Sequence, residues 1–449
     1  MKKLMAVLMG LMIMMSFSVM TPAFADENEV VALKSHVNDL NDKVSDLQRQ
    51  LQSLANRPAE SAPSGGYVAT PSETGGGLIH TMQDINMSGY ADVQFNQNLS
   101  RQSPNPAIVN GAPGNNLRAF DSNMDTFSIN QFDLNFYKNP NPEGGVGFNL
   151  DLLIGEDARV LNNVTTGDTA DYITPVQAYI DVVAPLNFLE GNSILDDSID
   201  IKVGRFVTLA GFEVIRSPDN WNISRSFTFN LAEPFTHTGV RTTYKLFNDK
   251  VTTYLGVNNG WDNVIDNNQW KTIETGFSLS PLENVTWTTA LYIGPENNST
   301  SGHKRYLVSN VLGWDATDKL SFRTVFDFGS ESRVQDLLNG NTGTDTTTNQ
   351  NAQWWGWTGY VRYQLTQQWG WVYRLEFFRD ADYFRTNAAN TSTGITDSIW
   401  AMTFGTDYKF YDNLTGRLEY RLDRSDDHDP FNAQANQSTI GAQLIYNFA

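Results

Sequence analysis

The chain has 449 residues, with 50 acidic against 31 basic side chains, a formal net charge of −19 and no cysteine. The lack of cysteine excludes disulfides, thiolate metal sites and cysteine nucleophiles. The excess of acids argues against a nucleic acid partner, because a basic surface drives binding to phosphates.

Residues 1–25 predict a secretory signal peptide. Lys2 and Lys3 precede an apolar run from Leu4 to Val19, and Ala23-Phe24-Ala25 has the small-residue pattern of a cleavage site. The apolar run is slightly long, so a retained membrane anchor is the alternative. No other segment approaches the ~20 apolar residues of a transmembrane helix, so any other membrane crossing would use strands.

Residues 26–57 predict a helix that associates with copies of itself. Apolar residues recur at steps of three and four, as in the seam of a coiled coil, and one such seam cannot bury itself. Valine at the a positions favours two strands in isolated helices, although a larger attached body can impose another number. A helix packed on its own domain is the alternative. The oligomerisation seam consists of Val30, Leu33, Val37, Leu40, Val44, Leu47, Leu51 and Leu54.

Residues 58–84 are rich in Pro, Ser, Gly and Thr and predict a flexible linker. From residue 85 to residue 449 the hydrophobic pattern has a period of two, and Leu418 and Leu422, for example, alternate with Arg417 and Arg421. The fold class predicted is all-β: a transmembrane antiparallel β-barrel of about 16 strands, preceded by the short coiled coil. A soluble sandwich would alternate similarly, but strands of about ten residues favour the barrel. The predicted strands lie near residues 85–97, 125–138, 145–155, 174–184, 199–207, 238–247, 250–258, 270–280, 285–294, 304–314, 320–329, 353–365, 369–379, 396–410, 413–424 and 437–448.

The gaps between these strands alternate between short and long, apart from a long connection near residues 185–198 on the short side. Short turns at one end and long loops at the other are typical of outer-membrane barrels, whose short turns face the periplasm. An even number of strands places both ends of the barrel domain on the short-turn side. The coiled coil is therefore predicted to lie in the periplasm.

Barrels of 16 to 18 strands enclose a water-filled channel, and their polar faces line it because charged side chains in lipid are costly. Aromatic residues near the strand ends predict an interfacial girdle, with a sugar-stacking site as the alternative. The lumen-lining candidates are Arg241, Lys245, Arg323, Arg362, Arg374, Glu376, Arg417, Glu419, Arg421 and Asp423.

The long segment 208–237 is unusual for its content of Phe and Trp, which are costly to expose to water. It is predicted to fold into the lumen and narrow the pore, where charged side chains would select among ions and polar solutes. The alternative is a solvated loop with internal ion pairs. The constriction candidates, including two from the preceding strand, are Glu213, Arg216, Asp219, Arg225, Glu233, His237, Lys202 and Arg205.

The run VGRFVTLAGFEVIRSPDNWNISRSFTFNLAEPFTHTGVRTTY, followed by LGVNNGWDNVIDNN, resembles the OmpL-like β-barrel porins of Gram-negative outer membranes. The resemblance extends from about Ile85 to Ala449. It implies an outer-membrane channel for passive diffusion of small hydrophilic solutes and ions, with neither a cofactor nor a catalytic set. The coiled coil resembles the periplasmic stalks of some trimeric porins, which implies a homotrimer. The chain departs from the usual pattern at its end, where Ala449 follows the terminal aromatic Phe448.

Several alternatives remain. An enzyme of the outer membrane would need a Ser–His pair, but the chain has only five His and no G-x-S-x-G, so no enzyme is predicted. The acidic loops 261–266 and 424–429 offer oxygen ligands for Ca²⁺ without matching a defined motif, so no metal site is predicted. The barrel could instead tether the envelope through coiled-coil binding to peptidoglycan, or serve as a substrate-specific anion or sugar channel. The candidate lumen residues carry both signs, which predicts weak ion selectivity.

Overall fold

The computed structural model describes residues 85–100, 108–109, 112–166, 171–186, 196–296, 303–332, 351–388, 396–426, 429–431 and 434–448. The predicted signal peptide, coiled coil and linker lie outside these residues. No helix in the described ranges is both long enough and apolar enough to span a membrane.

Sixteen antiparallel strands form one closed barrel, which confirms the predicted fold class and strand number. Each strand pairs with its neighbours in the chain, and the last strand pairs with the first, for example through Ala91 and Tyr446. The strands are β1 (Asn86–Asn98), β2 (Thr126–Lys138), β3 (Gly145–Ile154), β4 (Ile173–Pro185), β5 (Ser198–Val207), β6 (Thr236–Leu246), β7 (Val251–Asn258), β8 (Thr272–Leu282), β9 (Val285–Gly294), β10 (Arg305–Thr317), β11 (Leu320–Glu331), β12 (Ala352–Gln364), β13 (Trp369–Asp380), β14 (Ser398–Tyr411), β15 (Leu414–Ser425) and β16 (Asn436–Phe448).

The period-two pattern separates an apolar outer face from a polar inner face. At the closing seam, Val93 and Leu444 are opposite each other and both are exposed on the outside. The alternate residues face inward, where Gln443 Nε2 donates to Asp92 Oδ2 across the seam at 2.9 Å. Since a charge in lipid costs about 2–4 kcal/mol, this register is the one that a membrane selects.

Short turns join the strands at one end of the barrel, which we call the short-turn end, apart from the longer connection between β4 and β5. Between β6 and β7, Asn248 and Asp249 have φ of 54° and 65°. Positive φ at both central positions gives a hairpin turn the right-handed twist of its strands, and Asn and Asp tolerate it best after Gly. The opposite end carries the long connections and is called the long-loop end.

The long connections fold into their end of the barrel around two apolar cores. One core joins Trp261, Trp354 and Phe378 to Phe227, which belongs to the segment between β5 and β6. The second core packs helix α1 (Glu156–Thr166) against the same segment. A further short helix, α2 (Phe384–Ala388), follows β13. The apolar core of this protein therefore lies inside the barrel, where the loops meet.

Candidate functional site

The segment between β5 and β6 leaves the barrel wall and returns to it at the same place. The strands pair as far as Val207 and Thr236, and the Thr208 N–H then donates to the Phe235 carbonyl at 3.0 Å. Residues 209–234, which we call the lumen loop, are inserted between these points. Most of the loop side chains are buried although the loop belongs to no strand of the barrel.

The lumen loop contacts several parts of the closed wall. The Leu209 N–H donates to Tyr292 Oη of β9 at 3.0 Å, and the Ser217 N–H donates to Gln131 Oε1 of β2 at 2.9 Å. Arg417 of β15 donates from Nη1 to the Ser217 carbonyl at 2.9 Å. Since β2, β9 and β15 are well separated around the barrel, the loop crosses the lumen.

The buried carboxylate of Glu419, on β15, holds one turn of the lumen loop. It accepts hydrogen bonds from the Ile223 N–H at 2.8 Å, the Ser224 N–H at 3.0 Å, Ser224 Oγ at 2.5 Å and Asn222 Nδ2 at 3.0 Å. Hydrogen bonds to an ionised acceptor are about twice as strong as neutral ones. Glu419 therefore anchors the loop instead of facing open lumen.

Arg374, on β13, makes a second anchor with the same turn. Its Nη1 lies 2.8 Å from Glu213 Oε1 and donates to the Ser224 carbonyl at 2.6 Å. Its Nε lies 3.2 Å from Glu376 Oε1, and its Nη2 donates to Thr403 Oγ1 at 3.2 Å. The Arg374 side chain has no exposed surface, so its charge depends entirely on these partners.

The ion pairs continue from Arg374 toward the connection between β1 and β2. Glu376 Oε1 lies 3.4 Å from Arg421 Nη2, and Arg421 Nε lies 2.6 Å from Asp423 Oδ1. Asp423 Oδ2 then pairs with Arg118 Nη2 at 2.5 Å, and Arg118 Nη1 pairs with Asp121 at 2.8 Å. A continuous buried chain of charges thus joins two long connections to β13 and β15.

Two glycines of the wall leave space for side chains of the lumen loop. A Cβ added to Gly356 on β12 would lie 2.6 Å from Thr228 Oγ1, so a larger residue would displace the loop. The Thr228 hydroxyl also bonds to that of Thr358 at 2.7 Å. Gly441 on β16 similarly admits Ile223, whose Cδ1 would be 3.4 Å from an added Cβ.

The structure divides the constriction candidates into exposed and buried groups. Arg216 and Asp219 keep 31% and 60% of their side chains exposed, with Arg216 Nε 3.6 Å from Asp219 Oδ2. Lys202 is half-buried on the inner face, with Nζ over the Tyr179 ring. By contrast, Arg225 is buried and donates to carbonyls within the loop itself, including those of Val214, Ile215 and Ile223.

Two further constriction candidates, His237 and Arg205, are buried and lie outside the lumen loop. The Nδ1–H of the buried His237 donates to the Gly260 carbonyl at 3.1 Å, and the His237 ring stacks on that of Tyr292. Arg205 of β5 is also buried, and its Nη2 donates to Thr236 Oγ1 at 3.2 Å.

Glu233 lies at the end of the lumen loop with its carboxyl group buried against that of Asp327 on β11. Its Oε2 has no hydrogen-bond partner among the described residues. Burial, with the charges of Asp327 and Glu213 nearby, raises the pKa of Glu233 well above its ordinary value. The neutral carboxyl group is thus the form that the fold favours.

We expect Glu233→Gln to stabilise the barrel at neutral and alkaline pH. A raised folded-state pKa contributes stability below the ordinary pKa and loses it as pH rises toward the folded value. The neutral amide removes this loss. The free energy of unfolding of the variant should therefore exceed that of the parent by about 1 kcal/mol above pH 8 and equal it near pH 4. Urea unfolding of the purified protein across this pH range measures the difference. The exposed Glu143→Gln is the control, and a gain independent of pH would contradict the assignment.

All of the lumen-wall candidates lie on the inner face of their strands, and acids compensate several of the basic ones. Arg241 Nη2 donates to Glu274 Oε2 at 2.8 Å, and Lys245 Nζ lies 3.3 Å from Asp249. Arg374, Glu376, Glu419, Arg421 and Asp423 are in the anchoring network described above. The candidates that remain partly exposed and paired are Arg323 with Asp315 at 2.9 Å and Arg362 with Asp407 at 2.8 Å.

Sequence reasoning missed two residues of the inner wall, Gln131, which accepts from the Ser217 N–H of the lumen loop, and Glu274, which pairs with Arg241. Both lie on the polar face of their strands, so the alternation indicated their inward direction. It did not indicate the loop contacts, because Gln131 bonds to a backbone N–H and Arg417 to backbone carbonyls, which carry no sequence signal. Among the described residues, no three His, Asp or Glu side chains come together to hold a metal ion.

Comparison with known protein families identifies the family of this chain. Residues 84–448 match the family model described as "Putative beta-barrel porin-2, OmpL-like". The chain belongs to this family. This porin is accordingly a channel-forming barrel of the outer membrane, as the resemblance at the lumen loop implied. A search of curated protein sequences found no match.

Solved outer-membrane barrels share the fold of this porin at low sequence identity. The outer membrane channel DcaP of Acinetobacter baumannii has a TM-score of 0.53 and 11% identity, covering 81% of this chain and 97% of its own. OmpF of Salmonella typhi, in complex with daunomycin, has a TM-score of 0.54 and 12% identity, and the match covers 81% of this chain and 97% of OmpF. The anion-selective porin of Comamonas acidovorans has a TM-score of 0.51 and 8% identity, and the match covers 81% of this chain and 99% of that porin. At these identities the similarity shows the fold alone.

Proposed function

We propose that this porin lets small hydrophilic solutes and ions diffuse passively across the outer membrane, with segment 208–237 as its constriction. The observation that supports this proposal is the lumen loop, which crosses a closed 16-strand barrel and is fixed to β2, β9, β13 and β15. A fixed loop inside a wide barrel sets the width and the charge of the narrowest point.

The charges near the loop support weak ion selectivity. Arg216 and Asp219 are exposed together on the loop, and the partly exposed Arg323 and Arg362 each have an acidic partner. Paired charges of opposite sign produce a small net field, unlike a series of unpaired bases. A catalytic role forms no part of the proposal.

We also propose that three copies associate through the helix 26–57, exported by the signal peptide and held in the periplasm of a Gram-negative cell. The support is the apolar seam of Val and Leu, which has no partner within a single helix. Binding of this helix to peptidoglycan would add a tethering role.

Single-channel recording of the refolded mature protein in a planar bilayer tests the function. We expect open channels, current steps in groups of three, and a reversal potential near zero under a salt gradient. Weak selectivity follows from the paired charges at the loop.

Recording should be accompanied by a folding assay, such as resistance of the barrel to heat in detergent. A folded and inserted protein that carries no current would overturn the passive channel, and the tethering role would become the better proposal. A strong preference for anions would overturn the assignment of paired charges to the narrowest point.

A further inference from the structure

Two aromatic rings on the lumen loop remain half-buried, although the loop has two apolar cores that take its other aromatic side chains. Phe212 and Trp221 meet edge to face with ring centroids 5.1 Å apart. Tyr360 of β12 fixes them from the wall, at 5.1 Å from Phe212 and 6.4 Å from Trp221, in both cases edge-on. The pair is thus rigid and presents apolar surface within the barrel.

A guanidinium group lies over this aromatic pair. The Arg323 Cζ is 5.2 Å from the Trp221 centroid and 5.9 Å from the Phe212 centroid. The neighbouring strand makes room for it, because a Cβ on Gly313 would lie 3.2 Å from Arg323 Nε. Asp315 balances the charge, with Oδ1 2.9 Å from Arg323 Nη2.

A second ion pair lies beside the first. Arg323 is opposite Tyr360 in the register of β11 and β12, so Arg362 is its diagonal neighbour on the same face, at about 7–8 Å between backbones. Arg362 Nη1 is 2.8 Å from Asp407 Oδ1, and both side chains keep some exposed surface.

The balance of charge decides which solutes suit this surface. Each guanidinium already has a carboxylate, so a free anion would gain little and would meet Asp315 and Asp407. A hydroxyl group both donates and accepts, and an Arg–Asp pair offers it one partner of each kind. The apolar C–H face of a sugar ring can meanwhile pack on the part of the Phe212 and Trp221 rings that remains exposed.

We propose that Phe212, Trp221 and the Arg323–Asp315 and Arg362–Asp407 pairs form a subsite for neutral, hydroxyl-rich ring solutes, that is, pyranose sugars. The subsite lies beside the constriction and rests on the proposed function, since solutes must reach it through the channel. Passing sugars would stay there longer than open-chain polyols of similar size.

Bilayer recording with maltotriose as the probe tests the subsite. We expect transient blocks of the open channel, and Trp221→Leu should shorten the mean blocking time by about tenfold through loss of aromatic contact. Trp369→Leu, on the outer face of β13, is the matched control and should leave the blocks unchanged. Sorbitol is the open-chain control solute, and benzoate tests a flat anion.

The outcomes separate this subsite from the channel itself. Normal conductance without blocks by maltotriose would overturn the subsite and leave the passive channel standing. Blocks by benzoate alone, or blocks that Trp221→Leu does not shorten, would also overturn it. If the folded protein carries no current, calorimetric titration of maltotriose in detergent still measures the site: binding weakened by Trp221→Leu would support the subsite, and no binding would overturn it.

Discussion

Replacement of residues 209–234 by Asn-Gly should raise the single-channel conductance severalfold. The Thr208 N–H and the Phe235 carbonyl are already 3.0 Å apart, so a two-residue hairpin turn can close β5 and β6 without moving the strands. The change removes the lumen loop and, with it, the contacts that this loop makes across the lumen. Bilayer conductance in symmetric salt measures the result.

A same-length Gly/Ser replacement of residues 209–234 is the matched control for this excision. It keeps the chain but removes its anchors, so the current should become noisy while the mean conductance lies between those of the other two proteins. If the excised protein is folded and conducts as the parent does, the lumen loop is not the constriction.

Arg374→Met should detach the middle of the lumen loop and destabilise the barrel. The change leaves Glu213 and Glu376 buried without this cation, and removal of one member of a buried ion pair costs about 3–5 kcal/mol. Water that enters to solvate the carboxylates should widen the path, so the conductance should rise and fluctuate. Unfolding in urea measures the stability, and bilayer recording measures the current.

The control for this variant is Arg379→Met, which changes an exposed residue on the same strand. It should alter the free energy of unfolding by less than about 0.5 kcal/mol. The double variant Glu213→Gln/Arg374→Met should recover part of the lost stability, because it also removes the negative charge of Glu213, which Arg374→Met leaves without its cation. Parent-like stability of Arg374→Met would show that the buried chain of charges does not hold the loop.

The sequence predicted the barrel well because its signals are local. Leu418 and Arg417 must face opposite sides of β15 whatever the rest of the chain does, since successive side chains in a strand alternate. The inward position of every lumen-wall candidate follows from the same alternation. The turn at Asn248-Asp249 follows from another local signal, the tolerance of Asn and Asp for positive φ.

The sequence was less informative about the lumen loop. It indicated an aromatic segment inside the barrel, but it grouped Arg205 and His237 with Arg216 and Asp219. A loop has no fixed period, so the direction of a loop side chain depends on distant contacts. Arg225 illustrates this, because it donates to carbonyls of its own loop, and a carbonyl carries no sequence signal.

The amino-acid sequence by itself therefore determined the number of strands, their inner and outer faces and the family, because a membrane imposes one alternating pattern along the whole domain. Only the tertiary structure decided which charges anchor the loop and which remain exposed. Arg374 and Glu419 have the same inward parity as the partly exposed Arg323 and Arg362, and Glu213 lies in the loop, where parity does not apply. These side chains are buried because the lumen loop crosses the barrel to β13 and β15. The loop and these strands are far apart in the sequence, and only closure of the barrel brings them into contact.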